Sequence, residues 1–230
     1  AVDGLIFVPG GLTTSGALSN ALEIYNARLD AWAQASPLPQ PLCSYALAPW
    51  GEGFYVFGGW DGQEYVDTVW YYDVASDSWR QAGKLTAPRG FAAAATLGER
   101  IYVVGGYDGA RELKLCESFA PAKAQGGEIL WQQHAEMSEG RAGHGLAVVN
   151  GSLYACGGGW AEPFTVNERY DAALEAWSAF ASPITGEWRT LGLSAVEEAT
   201  GTFLYAMGGW SGDYRDVVYA YQAFYRVYIP

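Results

Sequence analysis

Residues 55–62 read YVFGGWDG: an apolar run enters a glycine pair, then comes an aromatic residue, then an Asp-Gly turn. The phrase returns as IYVVGGYDG at 101–109, LYACGGGW at 153–160 and LYAMGGWSG at 204–212. A worn copy, LIFVPGGL, occupies 5–12. Five copies make an internal repeat, and a repeat decides the architecture before any local reading. The glycine pairs begin at Gly10, Gly58, Gly105, Gly157 and Gly208, so successive units lie 48, 47, 52 and 51 residues apart. Two more markers keep phase with them. One is Tyr25, Tyr72, Phe119, Tyr170 and Tyr221; the other is Trp32, Trp79, Trp131 and Trp177.

A glycine pair, then Tyr, then Trp, with a small-residue strand led by Arg before the pair, resembles the kelch repeat. The resemblance covers residues 4–222. It implies an all-β fold, a five-bladed kelch-like β-propeller of mostly four-stranded antiparallel blades, in one domain over 1–230. The repeats fall at about 4–42, 43–88, 89–140, 141–188 and 189–230. In each unit, strands a to d run outward from the axis. Strand a is small and apolar (Tyr45–Ala48, Phe91–Thr96, Gly145–Val149, Leu191–Val196), as the crowded centre of a propeller requires. Strand b enters the glycine pair, whose residues permit positive φ or close backbone approach. Strands c and d carry the Tyr and Trp, which are expected to cement neighbouring blades.

Only nine residues precede Gly10, whereas Arg89 and Arg141 each stand 16 before their glycine pair. The first blade is therefore expected to lack its inner strand at the N-terminus. The stretch Phe224–Ile229 has the length of one more strand, either strand d of blade five or the missing inner strand of blade one. Its bulky residues, unlike the small ones of every strand a, favour strand d. The incomplete first blade implies a fragment of a longer protein or pairing with another chain.

Charge narrows the partners. A net charge of −12 excludes a nucleic-acid surface, and no apolar run is long enough to insert in a membrane. Residues 1–10 lack the form of a signal peptide, a feature a mature secreted chain would share. Cys43, Cys116 and Cys156 form no close pair and read as buried free thiols. Asn150-Gly151-Ser152 is a formal glycosylation signal that coincides with a hairpin turn.

In kelch propellers the b–c loops, which follow the glycine pair, and the d–a loops share one face that forms the usual ligand site. The residue after each pair here is Leu12, Trp60, Tyr107, Trp160 and Trp210; the residue leading strand a is Ser44, Arg89, Arg141 and Arg189. The candidate site is thus Trp60, Tyr107, Trp160, Trp210, Arg89, Arg141 and Arg189, with Asp61, Asp108, Glu162 and Asp213 between. Rings stack on sugars or apolar peptide side chains, and Arg binds carboxylates bidentately, so a peptide or protein and a glycan both fit. Beside this stands a structural reading, in which Asp-Gly is turn chemistry and the Arg anchor loops. The expectation is a binding or protein-interaction module without cofactor or metal, or else a structural propeller segment of a larger protein. Enzymes on this fold include copper oxidases and sugar epimerases. The first need two His on one metal, and His134 and His144 are not spaced for that. The second need acid–base groups, for which Glu187, Arg189 and His144 are the candidates.

Overall fold

The computed structural model describes residues 1–123, 129–159, 164, 166–182 and 188–225. The chain folds into five antiparallel sheets arranged as a five-bladed β-propeller. Blade one holds β1 (Leu5–Pro9), β2 (Leu22–Asn26) and β3 (Ala31–Ala35). Blade two holds β4 (Ala46–Trp50), β5 (Gly53–Phe57), β6 (Thr68–Asp73) and β7 (Ser78–Lys84). In blade three follow β8 (Ala93–Leu97), β9 (Arg100–Val104), β10 (Cys116–Phe119) and the two-residue β11 (Gln132–Gln133). Blade four comprises β12 (Gly145–Val149), β13 (Ser152–Cys156), β14 (Asn167–Asp171) and β15 (Ala176–Phe180). Blade five comprises β16 (Gly192–Glu198), β17 (Gly201–Met207) and β18 (Val218–Tyr225). Sequence neighbours pair throughout.

Among the described residues the first blade shows no inner strand, as the spacing before Gly10 implies. The expected outer strand of blade five needs correcting. Phe224 and Tyr225 extend β18, pairing with Thr202 and Gly201 across a bulge, because the turn that would separate two strands comes no earlier. Residues 226–230 of that expected strand lie outside the described residues.

The core is a row of apolar clusters, each between successive blades. Strand β5 shows why its sequence is a continuous apolar run rather than an alternation. Phe54 and Val56 face blade one, against Phe7 and Leu22. Tyr55 and Phe57 face blade three, against Ile101, Val103 and Phe119. A strand buried on both faces has no polar side to alternate with. The next interfaces repeat this with Tyr102, Val104 and Tyr170, then with Tyr154, Cys156, Leu204 and Ala206. The inner strands β4, β8, β12 and β16 are successive neighbours, which fits their small side chains.

The marker Trp residues join blades by polar bonds as well as area. Trp79 Nε1 donates to Ser36 O at 2.8 Å, Trp131 Nε1 to Lys84 O at 2.7 Å, and Trp177 Nε1 to Ala135 O at 2.8 Å. Each acceptor belongs to the preceding blade. Among the described residues Trp32 of blade one meets no such acceptor, and it is 61% exposed, so this marker is not core as its sequence position suggests.

Two rows of backbone hydrogen bonds tie the blades near the axis. In the outer row the second glycine of each pair donates to the next blade: Gly11 to Leu42 O, Gly59 to Arg89 O, Gly106 to Arg141 O, Gly158 to Trp188 O. In the inner row Phe91 N donates to Ser44 O, Gly143 N to Phe91 O, and Thr190 N to Gly143 O. Ser44, Phe91, Gly143 and Thr190 all have φ near +55 to +70°, a region that costs non-glycine residues about 1–3 kcal/mol each. Their shared backbone shape marks them as equivalent positions.

Candidate functional site

That equivalence changes which residues correspond between blades. Counting back from the inner-row residues, the positions that accept from the glycine pairs are Leu42, Arg89, Arg141 and Trp188. Ser44 and Arg189 are not the counterparts of Arg89 and Arg141. They stand two residues and one residue later in the backbone frame.

Arg89 and Arg141 are wholly buried and do not reach the loop surface. Arg89 Nη2 meets Glu117 Oε1 at 2.5 Å, and Glu117 Oε2 accepts from Gln133 Nε2 at 2.9 Å and from the Thr86 hydroxyl. Arg141 bonds Glu168 Oε2 through Nη2 at 3.0 Å and Nε at 3.2 Å, and donates Nη1 to Gly157 O at 2.7 Å. Each pair fastens a d–a loop to strand c of its own blade. Blades two and five fill the same places with apolar groups. In blade five Trp188 lies edge-on to Tyr219 at 5.3 Å, and its Nε1 donates to Gly208 O at 2.7 Å, as Arg141 does to Gly157 O. In blade two Leu42 and Trp70 join one apolar cluster.

The residues after the glycine pairs do lie on the b–c loops. Trp60 forms bridges to Cys43 and Tyr65, Tyr107 to Gly90 and Glu112, and Trp210 to Arg189 and Tyr214. Each loop is thus a small hairpin turned by its Asp-Gly or Ser-Gly pair. Asp61 Oδ1 accepts from Gln63 N and Glu64 N at 2.8 and 2.9 Å. Those bonds, Glu64 N first, hold its carboxyl below the usual range. Asp108 makes the same turn with Ala110 N and Arg111 N.

Tyr65, absent from the sequence-based set, joins two of the candidates. Its ring lies 5.0 Å from Trp60, 5.6 Å from Tyr107 and 6.5 Å from Phe91. Blades two and three therefore present one continuous aromatic surface. The hairpin pairing carries the signal for it, because a residue five beyond Trp60 returns opposite it across the Asp-Gly turn. In blade five Trp210 is separately engaged: the Arg189 guanidinium carbon sits 4.0 Å from its ring centre. Leu12 is 63% exposed and Tyr214 86%. Trp160, Glu162 and Glu187 lie outside the described residues.

The two histidines serve packing. His134 Nε2 meets Ser118 Oγ at 2.7 Å and its Nδ1 meets Tyr170 Oη at 3.1 Å, so its ring lies between blades three and four. His144 is enclosed beside Gly105, and burial, reinforced by Arg141, pushes its pKa down to about 3. Unfolded His144 takes up a proton near its ordinary value of 6.5 whereas folded His144 does not, so folding loses stability as pH falls from 6.5 toward 3. His144→Leu is expected to flatten that part of the urea-midpoint profile against pH. Among the described residues no three His, Cys, Asp or Glu side chains converge as a metal set. All three cysteines are buried and free.

Comparison with known proteins agrees with this geometry. Residues 1–158 match the model of the KLHDC2/KLHL20/DRC7 Kelch-repeats domain, and residues 140–192 that of the Kelch motif. Kelch-like protein 34 of Homo sapiens is 30% identical over 199 residues, 86% of this chain and 23% of that protein. Kelch-like protein 4 of Homo sapiens is 41% identical over 56 residues, 24% of this chain and 8% of that protein. The chain thus spans less than a quarter of each relative's length. A kelch propeller is consistent with a protein-interaction module. With the family model matching most of its length and five sheets in phase with its glycine pairs, the chain belongs to the kelch-repeat family of β-propellers.

Proposed function

We propose that the propeller holds a partner polypeptide on its b–c loop face, with Trp60, Tyr65 and Tyr107 as the contact surface. The observation that carries this is the joining of rings from two adjacent blades on loops that do not build the inter-blade core. Aromatic anchors supply much contact area at low conformational cost and dominate many protein interfaces. Trp210, stacked beneath Arg189, forms a second, smaller contact point on blade five. Arg89 and Arg141 enter only as frame residues, since their guanidinium groups are paired inside the blades.

Selection of a displayed peptide library on the protein tests the reading. Trp60→Ala is expected to weaken the selected peptides at least about tenfold, with the urea midpoint unchanged, as for a central interface anchor. Peptides that bind the variant equally would overturn it. So would a glycan array showing Trp60-dependent binding where the peptide selection shows none.

A further inference from the structure

The arginines that would suit an acidic motif do not stand free on the loop face. Arg89 and Arg141 are buried against Glu117 and Glu168, and Arg189 covers Trp210. What the b–c hairpin of blade two leaves at the surface is aromatic and anionic. The stretch Trp60–Asp67 holds Asp61, Glu64 and Asp67 and no Lys or Arg. Asp67 pairs with Lys84 at 3.1 Å, and Arg111, at 80% side-chain exposure, lies 3.8 Å from Asp108. Glu64 is exposed, and Asp61 uses only Oδ1 in its turn.

Blade five shows what such a ring accommodates. The residue bridged to Trp210 is Arg189, whose guanidinium lies over the indole. The residues bridged in the same way to Trp60 and Tyr107 are Cys43 and Gly90, neither of which carries a cation. The same backbone frame thus offers a guanidinium seat in three blades, and the chain fills it in one. A cation over an aromatic face gains from the ring quadrupole, Trp most of all, and a nearby carboxylate strengthens the contact.

We infer that the Trp60–Tyr65–Tyr107 surface receives an arginine side chain of the partner polypeptide, with Glu64 and Asp61 as its counter-ions. This rests on the docking surface proposed above and gives that surface its specificity. Acidic peptides are disfavoured at the same place by like charge.

The test is a nuclear magnetic resonance titration of the whole chain with N-acetyl-arginine amide, N-acetyl-citrulline amide and N-acetyl-glutamate amide. The Trp60 indole signal is assigned by its loss in Trp60→Phe. Arginine amide is expected to shift that signal saturably, with citrulline about tenfold weaker and glutamate without effect. Glu64→Gln with Asp61→Asn should weaken the arginine response several-fold at low salt, leaving the rest of the spectrum unchanged. Equal shifts from arginine and citrulline, shifts confined to Trp210, or no saturable shift would overturn the inference. The peptide selection separates the two ideas. Trp60-dependent peptides without arginine enrichment leave the docking surface standing and remove its arginine specificity, whereas a selection with no Trp60-dependent peptide removes both.

Discussion

Arg141→Leu is expected to lower folding stability by about 3–5 kcal/mol, the usual consequence of leaving one partner of a buried ion pair alone. The residue is wholly buried, and its loss strands Glu168 together with the carbonyl of Gly157. Glu168→Leu should fall in the same range, because Ser138 N, which bonds Glu168 Oε1 at 2.8 Å, loses its partner as well. The informative variant is the double one. Arg141→Trp with Glu168→Tyr copies blade five, where Trp188 and Tyr219 occupy these places and the indole still donates to the glycine carbonyl. It is expected to recover most of the loss, ending within about 2 kcal/mol of the parent, since apolar replacements of buried pairs are often near neutral. Urea unfolding of the parent and these three variants measures this. A double variant as unstable as the two single changes summed would show that the ionic pair itself is required.

Gly58→Ala should lose several kcal/mol, and Gly51→Ala only about 1 kcal/mol, although both glycines have φ of +57°. The difference is space. A Cβ on Gly58 would lie 2.3 Å from the carbonyl oxygen of Arg89, backbone that cannot turn aside. That same oxygen accepts from Gly59 N, so any retreat of Arg89 breaks the bond between blades two and three. Around Gly51 nothing lies within 4 Å of the added atom. Equal losses in urea midpoint would mean that backbone conformation, not inter-blade approach, fixes glycine at position 58.

Architecture was legible because its determinants are short, local and repeated. YVFGGWDG names the buried strand, the left-handed pair and the turn in eight letters, and each recurs in phase. The d–a loops were less legible because letter and backbone position part company there. Arg189 shares its identity with Arg89 and Arg141, yet Trp188 holds their place, two residues before the inner-row Thr190. Burial of the two arginines was hidden in strand c, where Glu117 and Glu168 each stand two residues before the marker ring. An acidic residue at mid-strand in a two-sided core is the cue that a cation comes to meet it. Tyr65 escaped notice because Leu18 and Glu112 close the corresponding hairpins of blades one and three, and the Tyr that does recur, Tyr214 in blade five, stands four rather than five residues beyond its partner.

The two rows of bonds near the axis have a use beyond cohesion. Their donors, Gly59 and Gly106 in one row and Phe91 and Gly143 in the other, bond across a blade boundary rather than within a sheet. Deuterium uptake at these amides therefore times the parting of one blade from the next, while uptake at mid-strand amides times the fraying of a sheet. Among the described residues the boundary between blades one and two has a bond from one row, through Gly11, because blade one shows no inner strand there to supply the other. In a chain whose units touch only their neighbours, separation between consecutive blades is expected to begin at this boundary, with uptake at Gly11 N ahead of that at Gly59 and Gly106.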